Sequence, residues 1–381
     1  MTVLAPEATD RRELRRMVEE LAAIERPSAS EGERKAAELI AARLREAGLG
    51  PRIEREQAHG GFWWPIGLLN AVVLLGAWVK SRLLALAALA LLVDDVDHRS
   101  RAFRKLLPKR PTWNVTAEAG DPDAERTVVL VAHHDAAHGG VVYDSTLVYR
   151  LADRFPQLLP RAKRWPPMMW GVVLGPLLVA LGRRRLGTLC SLGTIAAMAD
   201  IARSPVSPGA NDNAAAVATL LVLARRRYDG VRIILVSTGS EESLSEGMQE
   251  WGRRHFPSLL PETTTFVNLE TLGSGHLTIA EKEGFLRPHS YTPEVKDALE
   301  HAARQAGVPA RRGLVNSFAS DGQIPVLRGY RTAMLGGLDD HLLPLNYHKP
   351  WDLPENLHWG CVEDAVRLLD AFIRAEGARR D

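Results

Sequence analysis

Three strand-like runs in this chain each lead into side chains that bind metal ions, and only a fold that gathers strand ends can use all three together. Residues 128–132 run into His133, His134 and Asp135. Residues 231–237 precede Ser240, Glu241 and Glu242, and residues 265–269 end at Glu270. Short β-branched, apolar runs of this kind read as buried strands. In open α/β sheets, ligands collect beyond the carboxyl ends of such strands. Glu241 and Glu242 repel each other, so burying both requires a cation or a shared proton. Gly209 to Asn213, with Asp212 among them, opens an apolar helix, and His348 lies in a further polar stretch near the carboxyl end.

A chain of 381 residues can bury one large core or two domains. Its 46% hydrophobic and 25% charged residues are those of a globular protein, which excludes extended disorder. A net charge of +2 gives no basis for nucleic-acid binding. Two cysteines, Cys190 and Cys361, make neither a disulfide framework nor a thiolate site, so any metal must be held by His and carboxylates. The first ten residues lack a basic start followed by an apolar core, so no secretory signal is expected.

Taken in order, residues 11–24 place Leu14, Met17, Leu21 and Ile24 on one helical face, closed by Pro27. Ser30 and Glu33 have the spacing of a capping box for a second helix that stops at Gly48. Residues 52–55 suit an edge strand. Residues 62–79 then carry no charge and include Trp63, Trp64 and Trp78; Lys80, Ser81 and Arg82 separate them from an apolar run over 83–93. The design recurs: residues 166–182 are uncharged, Arg183, Arg184 and Arg185 follow, and an uncharged run covers 186–199. Each unit reads as a hydrophobic helical hairpin with a basic tip, inserted over 58–110 and 138–205. Elsewhere, strands are expected at 113–119 and 332–338, and helices at 213–223, 244–256, 293–306 and 362–375. This alternation predicts an α/β fold with a mostly parallel central sheet flanked by helices. The hairpins are insertions into a single catalytic domain spanning 1–381.

Tryptophans near the ends of the apolar runs suit a membrane interface, and four such runs exceed what a small satellite core needs. Membrane lipid is therefore an expected partner. Runs 62–79 and 166–182 approach bilayer-spanning length, whereas 83–93 is too short to cross alone. Lys and Arg flanking the outer ends of the hairpins outnumber those at the tips by about two to one, which favours a cytoplasmic catalytic domain. The competing reading is two hairpins that pack together or against a second subunit, which leaves an oligomer open.

His133-x-Asp135, Gly209-Ala210-Asn211-Asp212-Asn213, Glu241-Glu242, Asn268-Leu269-Glu270 and Tyr347-His348-x-Pro350-x-Asp352 occur in that order. Together they resemble the motifs of the dinuclear zinc aminopeptidases related to glutamate carboxypeptidase and the transferrin receptor. The resemblance covers about residues 10–57 and 113–381 and neither hydrophobic unit. It implies the zinc-exopeptidase fold and two zinc ions: one held by His133 and Glu270, the other by Glu242 and His348, with Asp212 bridging both. It further implies Glu241 as general base, Asp135 as the group orienting His133, and a peptide or aminoacyl substrate. The chemistry is self-consistent, because zinc takes imidazole and carboxylate ligands and a two-metal clamp stabilises attacking and developing oxyanions. Two features depart from the family pattern. Glu270 stands where an aspartate is usual, giving an arm one methylene longer, and the segment from His133 to Asp212 contains the whole second hairpin.

Neighbouring polar residues have plainer expectations. His134 points to the other face of its strand, and His138 sits in a loop. Ser320 and Asp321 either line the substrate pocket or form a turn. Tyr347 either donates to the oxyanion or packs, and Asn211 and Asn213 make local turn hydrogen bonds. The function expected is an aminopeptidase that hydrolyses the amino-terminal peptide bond. Glutaminyl cyclases share the fold but use one zinc, and the full ligand set with His133 argues against that transferase. Receptors or scaffolds of the fold lose ligands, whereas Glu241 and Glu242 are both kept here.

Overall fold

The structure is a computed structural model that describes residues 8–155 and 169–379. Its strands are β1 (Arg52–Ala58), β2 (Arg110–Gly120), β3 (Thr127–His133), β4 (Arg232–Thr238), β5 (Thr264–Glu270), β6 (His276–Ile279), β7 (Lys282–Glu283), β8 (His289–Ser290), β9 (Ala310–Arg311), β10 (Val315–Asn316) and β11 (Arg331–Leu338). Eight of them form the central sheet in the order β1-β2-β4-β3-β5-β11-β6-β9, and β10-β7-β8 form a small second sheet. The four middle strands, β4, β3, β5 and β11, run parallel, and antiparallel β2 and β6 flank them. All four therefore finish on one edge, as parallel strands must.

The helices are α1 (Ala8–Ala22), α2 (Glu31–Glu46), α3 (Trp63–Trp78), α4 (Arg82–Val96), α5 (Thr146–Arg154), α6 (Trp170–Ala180), α7 (Arg184–Arg203), α8 (Ala215–Leu223), α9 (Glu246–His255), α10 (Pro293–Ala306) and α11 (Trp359–Ala378), with single turns between. β3 shows why helices cover both faces. Val128, Leu130 and Ala132 join the core under α1, α2, α8 and α11, whereas Val129 and Val131 pack with Met248 and Trp251 of α9. A strand with apolar residues at every position needs cover on each side. α8 is buried at every position, so it runs through the core instead of along the surface.

The expected capping box forms by half. Ser30 Oγ accepts from the Glu33 N–H at 3.1 Å. The Glu33 carboxylate is buried and turns elsewhere, accepting from Ala29 N at 2.7 Å, Thr112 Oγ1 at 2.6 Å and Ser240 N at 3.0 Å. It thereby ties α2 to β2 and to the loop of Glu241, an arrangement more binding than a local cap.

The two hydrophobic units are paired helices that meet. α3 lies against α4 and α7, and α6 lies against α4 and α7, so the four close into a ring. The tips adjoin, since a Cβ on Gly182 would come within 2.6 Å of the Arg82 guanidinium. Residues 166–168 of the expected second unit lie outside the described residues. No described helix is long and apolar enough to cross a membrane: the uncharged run 62–79 yields a 16-residue α3, and α6 has 11 residues.

Candidate active site

The strand ends deliver the side chains expected of them to one place. His133 ends β3, Glu270 ends β5, and Glu241 and Glu242 follow β4 in a single helical turn. Asp212 comes from the kinked turn Ala210–Ala214 ahead of α8, joined to Asn213 by a cis peptide. His348 reaches in from the loop before α11. His133 Nε2 stands 3.2 Å from Asp212 Oδ1 and 3.5 Å from Glu270 Oε2. His348 Nε2 stands 3.4 Å from Asp212 Oδ2 and 3.4 Å from Glu242 Oε2. Two three-residue groups result, His133–Asp212–Glu270 and Asp212–Glu242–His348, each compact enough for one ion and sharing Asp212. Glu241 groups with His133 and Glu242 at the cleft side.

Asp135 organises the rim. Its carboxylate accepts from Ser28 Oγ at 2.6 Å and from the N–H groups of Glu241 and Glu242 at 3.0 and 3.1 Å. His133 Nδ1 lies 3.5 Å from Asp135 Oδ1 and 3.1 Å from the Asp135 carbonyl, which fixes the ring with Nε2 toward the cluster. Asp352 holds the Asp212 turn, accepting from Asn211 N at 2.9 Å and Asp212 N at 3.1 Å. Gly209 begins that turn with φ +63, and a Cβ there would meet the Asp212 carbonyl at 2.5 Å. Only glycine fits both constraints.

Some supports were not legible in the sequence. Arg26, fully buried after α1, donates to the carbonyls of Leu21, His134, Pro208 and Gly209 at 2.6–2.9 Å, joining the His133 strand end to the Asp212 turn. Burial brings its guanidinium down to about 10, against the pull of nearby Asp352 and Asp135. Tyr143, within the second insertion, packs edge-on against His348 at 4.3 Å while Tyr347 stacks on the same ring at 3.8 Å. Asn213 does more than close a turn: it donates to Glu270 Oε2 at 3.0 Å, and Asn268 donates to Glu270 Oε1 at 3.0 Å. Two amides thus position the longer carboxylate arm.

The plainer expectations divide. His134 faces away from the cluster and pairs with Ser237 Oγ at 3.0 Å, and burial drops its ring to about 3. His138 is a loop residue whose Nδ1 meets the Ser204 carbonyl at 2.9 Å. Asp321 is buried and bonded to Thr238, and Ser320 donates to Glu283 at 2.9 Å. Asn211 spans to Ser274 and Leu345 at 2.9 Å each, so its bonds are long-range.

Burial pushes Glu241 well above the ordinary carboxylate range, with Glu242 adding to the effect and His133 opposing it. Glu270 and Glu242 are likewise raised by burial. Burial disfavours a charged His348, yet Glu242 and Asp212 lift it to about 9. Such a cluster has more negative charge than it can hold alone, and a cation is the natural complement. The donor atoms agree. Asp212 Oδ2 and both nitrogens of His348 are buried without a hydrogen-bond partner, a cost of about 1–3 kcal/mol per group unless an ion takes up the lone pairs.

The cluster floors a cleft of about 850 Å³, whose other wall is apolar and includes Leu314, Val315, Phe318, Met334, Leu338 and Leu342. A second cavity shares Glu241, Glu242, Phe318 and Tyr347 with this cleft and is lined further by Phe62, Tyr143, Met169, Leu244 and Phe285.

Residues 193–373 match the family model described as peptidase family M28. No curated protein matches the chain's sequence. Among solved structures, the aminopeptidase from Aneurinibacillus sp. strain AM-1 is similar at TM-score 0.55 and 12% identity, over 97% of this chain and 94% of that one. A zinc aminopeptidase from Bacillus subtilis gives 0.56 and 12%, over 98% and 96%. A glutaminyl cyclase from Fimbriiglobus ruber gives 0.58 and 14%, over 97% of each chain. At these identities the structural likeness establishes the fold. The match supports a zinc-metallopeptidase-like hydrolase, and a His and carboxylate cluster suited to zinc is present.

Proposed function

We propose that this chain is an aminopeptidase of the M28 type that uses two zinc ions to hydrolyse the amino-terminal peptide bond of a peptide or aminoacyl substrate. The observation that carries this reading is Asp212, whose two oxygens face different histidines at 3.2 and 3.4 Å. His133, Asp212 and Glu270 would hold one ion, and Asp212, Glu242 and His348 the other. When bound, the zinc ions polarise the scissile carbonyl and lower the pKa of the attacking water. Glu241 belongs to neither of these two groups, and among the described residues only a weak 3.4 Å hydrogen bond from Ser245 Oγ engages its carboxylate. Its carboxylate is free to take the proton from the water and return it to the leaving amine, the work of a general base and then acid. Asp135 holds Glu241, Glu242 and His133 in register while this occurs. Tyr347, at the cleft wall, is placed to donate to the developing oxyanion. The apolar wall suits a bulky aliphatic side chain on the amino-terminal residue.

The fold accommodates glutaminyl cyclases as well as aminopeptidases, so the substrate decides. Leucyl anilides and leucyl peptides should be cleaved, and their N-acetylated forms should not. Formation of pyroglutamate from a glutaminyl peptide, without peptide-bond cleavage, would replace this reading with the cyclase.

A further inference from the structure

The bundle of α3, α4, α6 and α7 changes its packing along its length. Near the domain it buries Ile66, Leu69, Leu92, Val172 and Met198 as a bundle in water does, but toward the tips its interior is made of small residues. Gly76, Ala85 and Ala88 lie between the first pair of helices, and Gly175, Val179, Gly187 and Ser191 between the second. A Cβ on Gly175 would meet Ser191 Oγ at 2.2 Å, and one on Gly187 would meet Val179 Cγ2 at 2.5 Å, so α6 and α7 touch nearly backbone to backbone. Large side chains cover the outer faces. Leu68 and Leu75 on α3, Leu83 and Leu86 on α4, Leu174 and Leu177 on α6, and Leu189 and Leu192 on α7 are all exposed, Leu83 and Leu189 by more than half. Small residues inside with leucines outside is the arrangement of helices packed in lipid, where apolar surface need not be hidden. Because the four helices form a ring, each has an outward face. One flat partner could cover one or two of these faces, whereas lipid covers them all.

Charge supports the same occupant. No charged residue interrupts α3, α6, residues 83–93 or residues 186–199. At the joined tips stand Lys80, Arg82, Arg183, Arg184 and Arg185, with no acidic residue among them, beside Trp78, which is 80% exposed. At the opposite end Trp170 is 51% exposed, and Asp94 and Asp200 mark the return of charge. An apolar belt between tryptophans, capped by cations, matches a bilayer whose headgroups are anionic. The belt is about 16–24 Å tall at 1.5 Å per residue, shorter than the hydrocarbon layer, which the long basic side chains at the tip offset by snorkelling.

We propose that this four-helix bundle embeds in an anionic lipid bilayer, with the tip cations paired to headgroup phosphates. The second cavity, which shares Phe62 and Met169 with the base of the bundle and Glu241, Glu242 and His348 with the metal cluster, then lies at the membrane surface. Flotation of the full chain with vesicles tests this. The protein should rise with phosphatidylcholine vesicles that contain phosphatidylglycerol and stay bound through a high-salt wash. Brominated lipid should quench its fluorescence, and the Trp78→Phe protein should lose part of that quenching. Replacing Arg183, Arg184 and Arg185 by Gln should weaken partitioning on the order of 100-fold, from about tenfold or less per cation at the surface. Replacing Leu75, Leu83, Leu177 and Leu189 by Ser should abolish flotation while hydrolysis of a soluble aminoacyl substrate persists. If those variants fail to fold, quenching of the wild-type chain decides. A detergent-free protein that stays at the bottom with both vesicle types overturns the proposal. A dimer that forms without lipid and is lost in the leucine variants would assign the surface to a second copy of the chain instead.

Discussion

Glu241 and Glu242 are adjacent in the chain, accept nothing from each other, and have their backbone N–H groups fixed by the same Asp135 carboxylate. What separates them is their partners: Glu242 Oε2 lies 3.4 Å from His348 Nε2, whereas Glu241 is in neither of the groups that share Asp212. Glu241→Gln keeps size and loses the ability to accept a proton, so turnover should fall by roughly 10²–10⁴-fold with zinc content unchanged. Glu242→Gln should lower zinc content instead. Zinc content and steady-state rates of both proteins, measured together, check this pair, and the reverse pattern would exchange the roles. Glu270 offers a second test at this scale. Asn213 and Asn268 hold its carboxylate, so Glu270→Ala should lose zinc, whereas Glu270→Asp should keep more of it because a carboxylate remains. Equal losses in metal content would show that the site requires the longer arm. That His133, Glu241, Glu242 and Glu270 come together was legible, because ligand residue types at strand ends are a local signal, whereas Asp212 and His348, in a turn and a loop, were picked out by the motif resemblance. Arg26 and Tyr143 were not, since an arginine after a helix and a tyrosine in a loop carry no sign of the distant carbonyls or imidazole they meet.

At the scale of elements, the strands and helices followed their apolar periodicity, with boundaries moving by a few residues. β2 is longer than its apolar centre suggests, since Arg110 and Pro111 pair with β1. The half-formed capping box shows where local reading stops: besides neighbouring Ala29, Glu33 serves the distant Thr112 and Ser240 in preference to the Ser30 N–H. The return from the first hairpin carries a comparable network. Arg104 is buried, donating to Asp95 at 2.6 Å and to the Ser243 carbonyl at 3.0 Å, and it lies 3.1 Å from Glu246. Arg101 donates to the Leu244 carbonyl. The hairpin thus grips the loop that carries Glu241 and Glu242. Arg104→Met leaves Asp95 and Glu246 without their main cation, so it should cost about 3–5 kcal/mol by urea unfolding and reduce activity as well. Burial alone would raise Glu246, but Arg104 and His59 hold it well below the usual carboxylate range. A carboxylate depressed in the folded state adds stability above its unfolded value of about 4.3, and that contribution fades as the pH falls below it. The Arg104→Met protein should therefore show a shallower loss of stability on acidification than the wild-type chain.

For the molecule as a whole, an α/β sheet carries the candidate metal cluster, and α3, α4, α6 and α7 form a bundle with exposed leucines. The sheet was legible because runs such as 128–132 are short, β-branched and apolar at every position, as a strand covered on both faces is. The union of the hairpins was not, because Gly76, Gly175 and Gly187 announce close packing without naming the partner helix. Everything catalytic in this account depends on two ions sharing Asp212. The direct test is to strip the protein by chelation and titrate zinc back while following hydrolysis of a leucyl anilide and the bound metal together. Full activity should require close to two equivalents of zinc per chain, with little or none remaining after chelation. Full activity at one equivalent, or activity that survives exhaustive chelation, would contradict the two-ion site.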